Sequence, residues 1–502
     1  MSRKYPKILR SRKQRIARRL KVRAWPEQDE PMCAGSNIHY EMAEKTQAIG
    51  CGGIGAVHLL CQKIGLVELL DQKVKVLKRH LPYHESDHVL NMAYNIMAGG
   101  VRLEDIELRR QDESFLNGLG AQRIPDPTTA GDFTRRFAPE DIGDMMDAIN
   151  EARQRVWQQQ PAGFLAQAVI DVDGTIAGTL GECKGGMDIS YKGIWGYAPL
   201  ILTLANTKEV LYLVNRPGNV VSHEGAGPWI DRAIALVKPH AGEVHLRGDT
   251  DFSLTGKFDT WDGAGVTFTL GMDASPKLVG LAKSLCEAQW QGLVRVPPEI
   301  KTQPRERPEN VKEQIVRERG FLNQRLESEQ VAEFEYQPGQ CQKSYRMVVL
   351  RKNLSIERGE KVLFDEIRYF FYISNRRDLT RQEIVQDANE RCNQENVVAQ
   401  LKSGVNAMRV PVNDLNSNWA YMVIASLAWN LKAWFGLMVP ARERGLKLVK
   451  MEFRSFLAAV LLMPAQIIRA GRKIIYRILG YNGWLKDVFA TWERLHRMAA
   501  LG

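Results

Sequence analysis

Apolar positions are sparse over the first 35 residues, then recur at helical spacing from about residue 43 to residue 138. Ala56, Leu59, Leu60, Ile64, Leu66 and Leu69 form one such series, and Val89, Leu90, Met92, Ala93 and Ile96 form another. Glycine pairs at Gly52–Gly53 and Gly99–Gly100 punctuate the helices. Pro125-Asp126-Pro127-Thr128-Thr129 predicts a stop and then a cap for a helix over 130–137. At Phe164 the pattern changes to short continuous apolar runs rich in β-formers. Residues 164–172, 198–205 and 210–214 predict three buried strands able to form an antiparallel meander. A helix over 229–237, strands over 243–246 and 266–270, and a helix over 276–291 follow.

Residues 292–380 form a block of their own. It contains a Pro-rich, charged loop at 297–308 and alternating strands at 333–336, 344–350 and 367–373. Residues 381–401 predict one helix. Residues 416–500 predict helices again, with Trp419, Trp429 and Trp434 and a basic stretch at Arg469, Arg472, Lys473 and Arg477. A membrane span needs about 20 uninterrupted apolar residues. The run 417–441 is broken by Asn430 and Lys432, and the run 456–465 is short and set between Arg454 and Arg469. Both predict buried helices.

A length of 502 residues predicts more than one domain, and 44% hydrophobic with 25% charged residues is ordinary globular composition. Charge changes the picture more. The net charge is +11, and the first 24 residues hold eleven Lys and Arg and no acid, so the remainder is near neutral. Such a run suggests a polyanionic partner. Its lack of a continuous apolar stretch predicts no secretory signal. Seven cysteines without a CxxC pair predict a reducing compartment, buried or inert thiols and no structural zinc site.

Carboxylates close two of the predicted core strands. Val169-Ile170-Asp171-Val172-Asp173-Gly174-Thr175 places two aspartates on the same side of a strand, because strand side chains alternate. Leu246-Arg247-Gly248-Asp249-Thr250-Asp251-Phe252 repeats the arrangement. Charges at strand ends are costly unless paired or metal-bound, and carboxylate oxygens suit Mg²⁺ or Mn²⁺. Ordinary turns contain the same dipeptides, so each motif alone is open. On the helix after residue 381, Glu395 and Lys402 lie within about 40° and 20° of Arg391 at 100° per residue. The plain alternative is a solvated face with an i,i+4 ion pair.

Together these features resemble a family. Arg391-x3-Glu395-x6-Lys402 is similar to the Y-x2-R-x3-E-x6-K signature of a large group of bacterial insertion-sequence DDE transposases. Asp173-Gly174-Thr175 resembles the group's first Asp motif, and Arg247 to Phe252 resembles its second. The Pro-Thr-Thr turn ahead of Phe133-Thr134-Arg135-Arg136-Phe137, and residues 389–407 with the Trp-rich helix after them, are similar as well. The likeness runs from about residue 40 to 480. It implies an α/β protein with an RNase H-like catalytic core at 160–291 and 381–415 and a β-rich insertion at 292–380. Flanking these would be a flexible basic arm (1–35), a helical DNA-binding domain (36–150) and a helical C-terminal region (416–502). The strand pattern, and the 146 residues from Asp249 to Glu395, fit that layout independently.

The resemblance also implies the chemistry. Asp173, Asp249 and Glu395 would hold two Mg²⁺ (or Mn²⁺) ions for DNA cleavage and strand transfer, while Arg391 and Lys402 bind DNA phosphates. Asp171 and Asp251 are the alternates. Asp173 matches the Asp-Gly-Thr pattern better, and Asp249 directly follows its strand. Partners would be double-stranded DNA, both terminal inverted repeats and target, with two or more copies of the chain, in a bacterial cytoplasm at the nucleoid and away from membranes. The alternatives are another RNase H-like nuclease or resolvase, and a DNA-binding derivative without catalysis. The signature's Tyr falls on Ala388, so its phosphate contact is absent or supplied elsewhere.

Overall fold

Continuous apolar runs rather than alternating ones mark the middle of the chain, and they become the strands buried on both faces. In the computed structural model, which describes residues 4–21, 37–80, 82–295 and 311–500, these runs are β1 (Leu165–Gly174), β2 (Leu200–Leu204), β3 (Glu209–Val214), β4 (Ala241–Gly248) and β5 (Val266–Met272). β1, β2 and β3 form the expected antiparallel meander, with Asp173 opposite Ile201. β4 lies parallel to β1, with Asp171 beside Arg247, and β5 lies parallel to β4. The order β3-β2-β1-β4-β5, two antiparallel pairs followed by two parallel ones, is an RNase H-like core.

The block after residue 290 extends this sheet. β6 (Gln291–Gly292), β7 (Leu322–Tyr336), β8 (Tyr345–Arg358) and β9 (Lys361–Ser374) are antiparallel neighbours, and β9 joins β5 with Ile373 opposite Leu270. Among the described residues nine strands therefore make one sheet, ordered β6-β7-β8-β9-β5-β4-β1-β2-β3. β7 to β9 are longer than their apolar patterns suggest. The outer halves of β7 and β9 are mostly exposed, so nothing there demands an apolar face. The Pro-rich loop expected at 297–308 lies outside the described residues.

Helices on either side of the core in sequence share one hydrophobic interior. α1 (Lys4–Leu20) precedes α2 (Ile54–Lys63), α3 (Leu66–Lys73), α4 (Glu85–Met97), α5 (Pro127–Thr134) and α6 (Pro139–Gln158). α5 starts three residues before the expected position: Pro127 opens it and Asp126 caps it, accepting from the Thr129 N–H at 2.8 Å. α7 (Ala226–Val237), α8 (Thr255–Gly263) and α9 (Pro276–Ser284) flank the sheet, and α10 (Arg381–Glu390) and α11 (Cys392–Ser403) cross it. α12 (Leu415–Met438) then packs against α4, α5, α6, β3 and α13 (Arg442–Lys450). The two polar interruptions in α12 are satisfied inside. Asn430 exchanges hydrogen bonds with the backbone of Val210 on edge strand β3, and Lys432 donates to the Val449 carbonyl. No helix among the described residues is long and apolar enough to cross a membrane.

Two expectations need correction. The basic N-terminus was expected to be flexible, yet residues 4–20 form a helix. It docks where Tyr5 stacks on Phe489 of α14 (Leu485–Arg497), ring centroids 5.2 Å apart. The C-terminal region was expected to be all helix, yet β10 (Ala465–Ala470) and β11 (Lys473–Ile478) form a hairpin that also pairs with Ala48–Ile49. The side chains of its inner face, Ile467 and Tyr476, find their neighbours at Gly55 and Gly118, which no local pattern reveals. The six described cysteines are free; Cys51, Cys61 and Cys341 are buried, and Cys183, Cys286 and Cys392 are exposed.

Candidate active site

Alternation along two neighbouring strands builds the site. Asp171 and Asp173 on β1, and His245 and Arg247 on β4, face the same side of the sheet, and the α10–α11 pair packs over them. Deep in this layer Arg247 holds Asp171 in a two-pronged ion pair, Nε to Oδ1 at 2.7 Å and Nη2 to Oδ2 at 3.1 Å. Its third nitrogen reaches Asp387 and Glu390 of α10, each at 3.3 Å. His245 Nε2 donates to Asp387 Oδ2 at 2.8 Å. Burial by itself would raise the Asp387 carboxyl, but the hydrogen bond from His245, with Thr269 and Arg247 behind it, brings it down to about 2. Burial would likewise lower the Arg247 guanidinium, and the hydrogen bonds to Asp171 reverse that.

Asp173 sits two residues farther along, at the rim. Its one ion-pair partner among the described residues is Arg391 Nη1, at 3.3 Å. Burial pushes its carboxyl up, Arg391 opposes, and the charges of Asp249 and Glu395 add to the rise, leaving it at about 6. Asp249 directly follows β4. It caps the short turn Thr250–Phe252 by accepting from the Asp251 N–H at 3.1 Å. Burial raises its carboxyl too, Arg391 lowers it, and Asp251 and Asp273 raise it further. Gly271 on β5 makes room for this turn, since a Cβ there would stand 2.8 Å from the Thr250 nitrogen. Asp251 is exposed on the outer side of the turn.

Residues 381–401 were expected to form one helix; the hydrogen-bond ladder is interrupted at Arg391, between α10 and α11, while its backbone stays helical (φ −55°, ψ −29°). The Gln394 N–H bonds to the Arg391 carbonyl, a tightened i to i−3 turn. Anchors on both sides hold the break: Asp387 and Glu390 on Arg247, and the buried Gln394 amide, which donates to the carbonyls of Asp171 and Ile201 at 3.0 and 3.2 Å. Within α11, Glu395 and Lys402, seven residues apart, share a side. Glu395 is exposed. Burial lowers the Lys402 ammonium, the nearby Lys192 lowers it further, and Asp173 raises it. Ala388, at the signature's Tyr position, is half-buried.

Sequence reasoning thus named the rim and missed the layer beneath. A signal existed, because Arg247 and His245 lie in a core strand and a buried cation demands an acid. Nothing local pointed to Asp387 or Gln394 as the partners.

A divalent cation suits this donor set by type and by charge. The acids supply oxygen only, and their mutual repulsion raises Asp173 in a way a cation would relieve. As the side chains stand, no three acidic, His or Cys groups among the described residues enclose an ion position. Arg391 supplies the positive charge beside Asp173.

A family model described as transposase DDE domain group 1 matches residues 46–500. The chain belongs to this family. It is thus a DNA transposase of the DDE kind, an enzyme class that cleaves DNA. The family assignment covers the helical segments as well as the sheet, consistent with their common interior. A cryo-EM structure of a piggyBac transposase synaptic complex with hairpin DNA is similar at 12% identity and a TM-score of 0.34, over 82% of this chain and 81% of that one. Similarity at that level assigns nothing to individual residues. No curated protein matches the chain.

Proposed function

We propose that this transposase cleaves the ends of an insertion sequence and joins them to target DNA at a site formed by Asp173, Asp249 and Glu395. The observation that carries the reading is geometric: Asp173 ends β1, Asp249 directly follows the parallel neighbour β4, and Arg391, four residues before Glu395, lies 3.3 Å from Asp173. These three residues would hold two divalent cations, Mg²⁺ or Mn²⁺. When bound, such ions activate a water or 3′-hydroxyl and stabilise the departing oxygen. The chain's own groups do the rest. Arg391 and Lys402 stand beside the carboxylates and offer a planar fork and a point charge to the phosphates flanking the scissile bond. Arg247, Asp387 and Gln394 fix the helix that carries Glu395 and Arg391 against the sheet, so the acids and cations keep their spacing while DNA is handled.

The test is end cleavage of a labelled terminal-repeat duplex with Mg²⁺, with Mn²⁺ and with EDTA. Glu395→Gln and Asp249→Asn should each cut by about 10³-fold less, the scale expected when one element of charge stabilisation is lost, while still binding the duplex. Cleavage in EDTA, or wild-type rates in Glu395→Gln, would overturn the assignment. Cleavage without joined products would mark a resolvase-like nuclease instead.

A further inference from the structure

Two basic segments that the carboxylate site does not use meet on the helical body. α1 turns Tyr5, Leu9 and Arg12 to the protein, three positions of one helical face. Tyr5 stacks on Phe489, Leu9 packs against the core, and the Arg12 guanidinium donates to the carbonyls of Ile478 and Gly480 at 3.0 and 2.7 Å. Arg12 therefore latches the helix to the end of β11. Lys7, Arg10, Lys13, Arg15, Arg18 and Arg19 are left exposed, and among the described residues none has an ion-pair partner. α1 contains no acid, so its cations at i,i+3 and i,i+4 spacing repel one another.

The hairpin continues this surface. Register pairs Gln466 with Arg477, Ile468 with Ile475 and Ala470 with Lys473 on the hairpin's outer face, and Arg472 lies in the turn. The inner face, with Ile467 and Tyr476, packs toward the glycines of α2 and of the helix Glu113–Leu119. Arg472, Lys473 and Arg477 form no ion pair among the described residues either.

We propose that α1 and the β10–β11 hairpin form one docking surface for the phosphate backbone of duplex DNA, separate from the carboxylate site and indifferent to sequence. The choice of duplex rests on the transposase reading. The physical case for a polyanion does not, because unpaired cations on a rigid platform gain most from phosphates. From Lys7 to Arg19 the helix rises about 18 Å, enough to follow several phosphates. A membrane surface would require one continuous free apolar face on α1, whereas Tyr5 and Leu9 are engaged with the protein and the exposed Ile8, Ile16 and Leu20 are interspersed with cations.

The experiment measures binding of a random-sequence duplex by fluorescence anisotropy over a KCl series, without divalent metal. Each phosphate contact contributes about −0.9 to the slope of log K against log salt. Arg472→Gln/Lys473→Gln/Arg477→Gln should flatten the slope by about 2 to 3. Lys7→Gln/Arg10→Gln/Arg18→Gln should do the same, each protein melting like wild type and cleaving ends normally at saturating protein. Should the hairpin variant misfold, the α1 variant decides. Unchanged slopes overturn the proposal. Tighter binding of a single-stranded RNA that is lost in the same variants also overturns it, by giving the surface to RNA. Because cleavage is not the readout, a failure of the catalytic assignment would leave this result standing.

Discussion

Asp171 and Asp173 differ by two positions on one strand and face the same way, yet their surroundings are opposite. Asp171 is 1% exposed and receives two hydrogen bonds from one guanidinium, which is itself shared with Asp387 and Glu390. Asp173 is 18% exposed, receives one long contact from Arg391, and feels Asp249 and Glu395. The inner carboxylate is paired on both oxygens by Arg247 and holds helix to sheet, although burial still raises its proton affinity. The outer one stays short of positive charge, which is the condition for binding a cation or acting on a phosphate. On the proposed reading, depth along a single strand separates a structural acid from a chemical one.

The sharpest way to break this contrast is to neutralise each acid in turn. Asp173→Asn should lower end cleavage by about 10³-fold and leave the melting temperature unchanged or slightly raised, because a crowded charge is removed. Asp171→Asn should instead destabilise the protein by about 3 kcal/mol, the low end for breaking a buried pair, since Asp387 and Glu390 remain beside Arg247. Its cleavage rate per folded molecule should stay near wild type. Calorimetry and single-turnover cleavage on the same preparations read both effects, and an exchange of the two phenotypes would exchange the two roles.

Arg391 belongs to the outer region and tests it next. Arg391→Ala should slow cleavage by about 10²-fold through misplacement of the scissile phosphate. Arg391→Lys should not restore the rate, because the planar fork is lost. Full activity in the lysine variant would reduce Arg391 to a counter-ion for Asp173.

The smallest effect is on stability against pH. The folded Asp173 carboxyl, raised by burial and like charge to about 6, binds its proton more tightly than in the unfolded chain. Its contribution to stability is therefore present at pH values below the ordinary aspartate range and is lost as pH rises through about 6. In EDTA, the melting temperature of wild type should fall across that window relative to Asp173→Asn. Mg²⁺ should remove the difference above it. Parallel curves for the two proteins would show that Asp173 is not crowded.

The limits of local pattern show at particular elements. β1 to β5 were readable within two residues or so at most ends, because strands buried on both faces must be apolar along their whole length. β7 to β9 were found only in part: the half of β7 from Leu322 to Ser328 is mostly exposed and carries no apolar face to detect. α1 and the β10–β11 hairpin were misjudged, since each is held by residues hundreds of positions away, such as Arg12 on Ile478.

At the site, the residue types and their order along the chain were already set by Asp173-Gly174-Thr175, by Arg247 to Phe252, and by the spacing from Arg391 to Lys402. Alternation on β1 likewise fixed Asp171 and Asp173 to one side. Which of the two is buried depends on the parallel register that sets Arg247 beside Asp171, and on Asp387 and Gln394 arriving from a helix more than 200 residues later in the chain than β1. Burial, ion pairing and the resulting proton affinity are properties of that meeting. They follow from distances that only the folded chain creates, because the energy of a charge depends on what surrounds it in space.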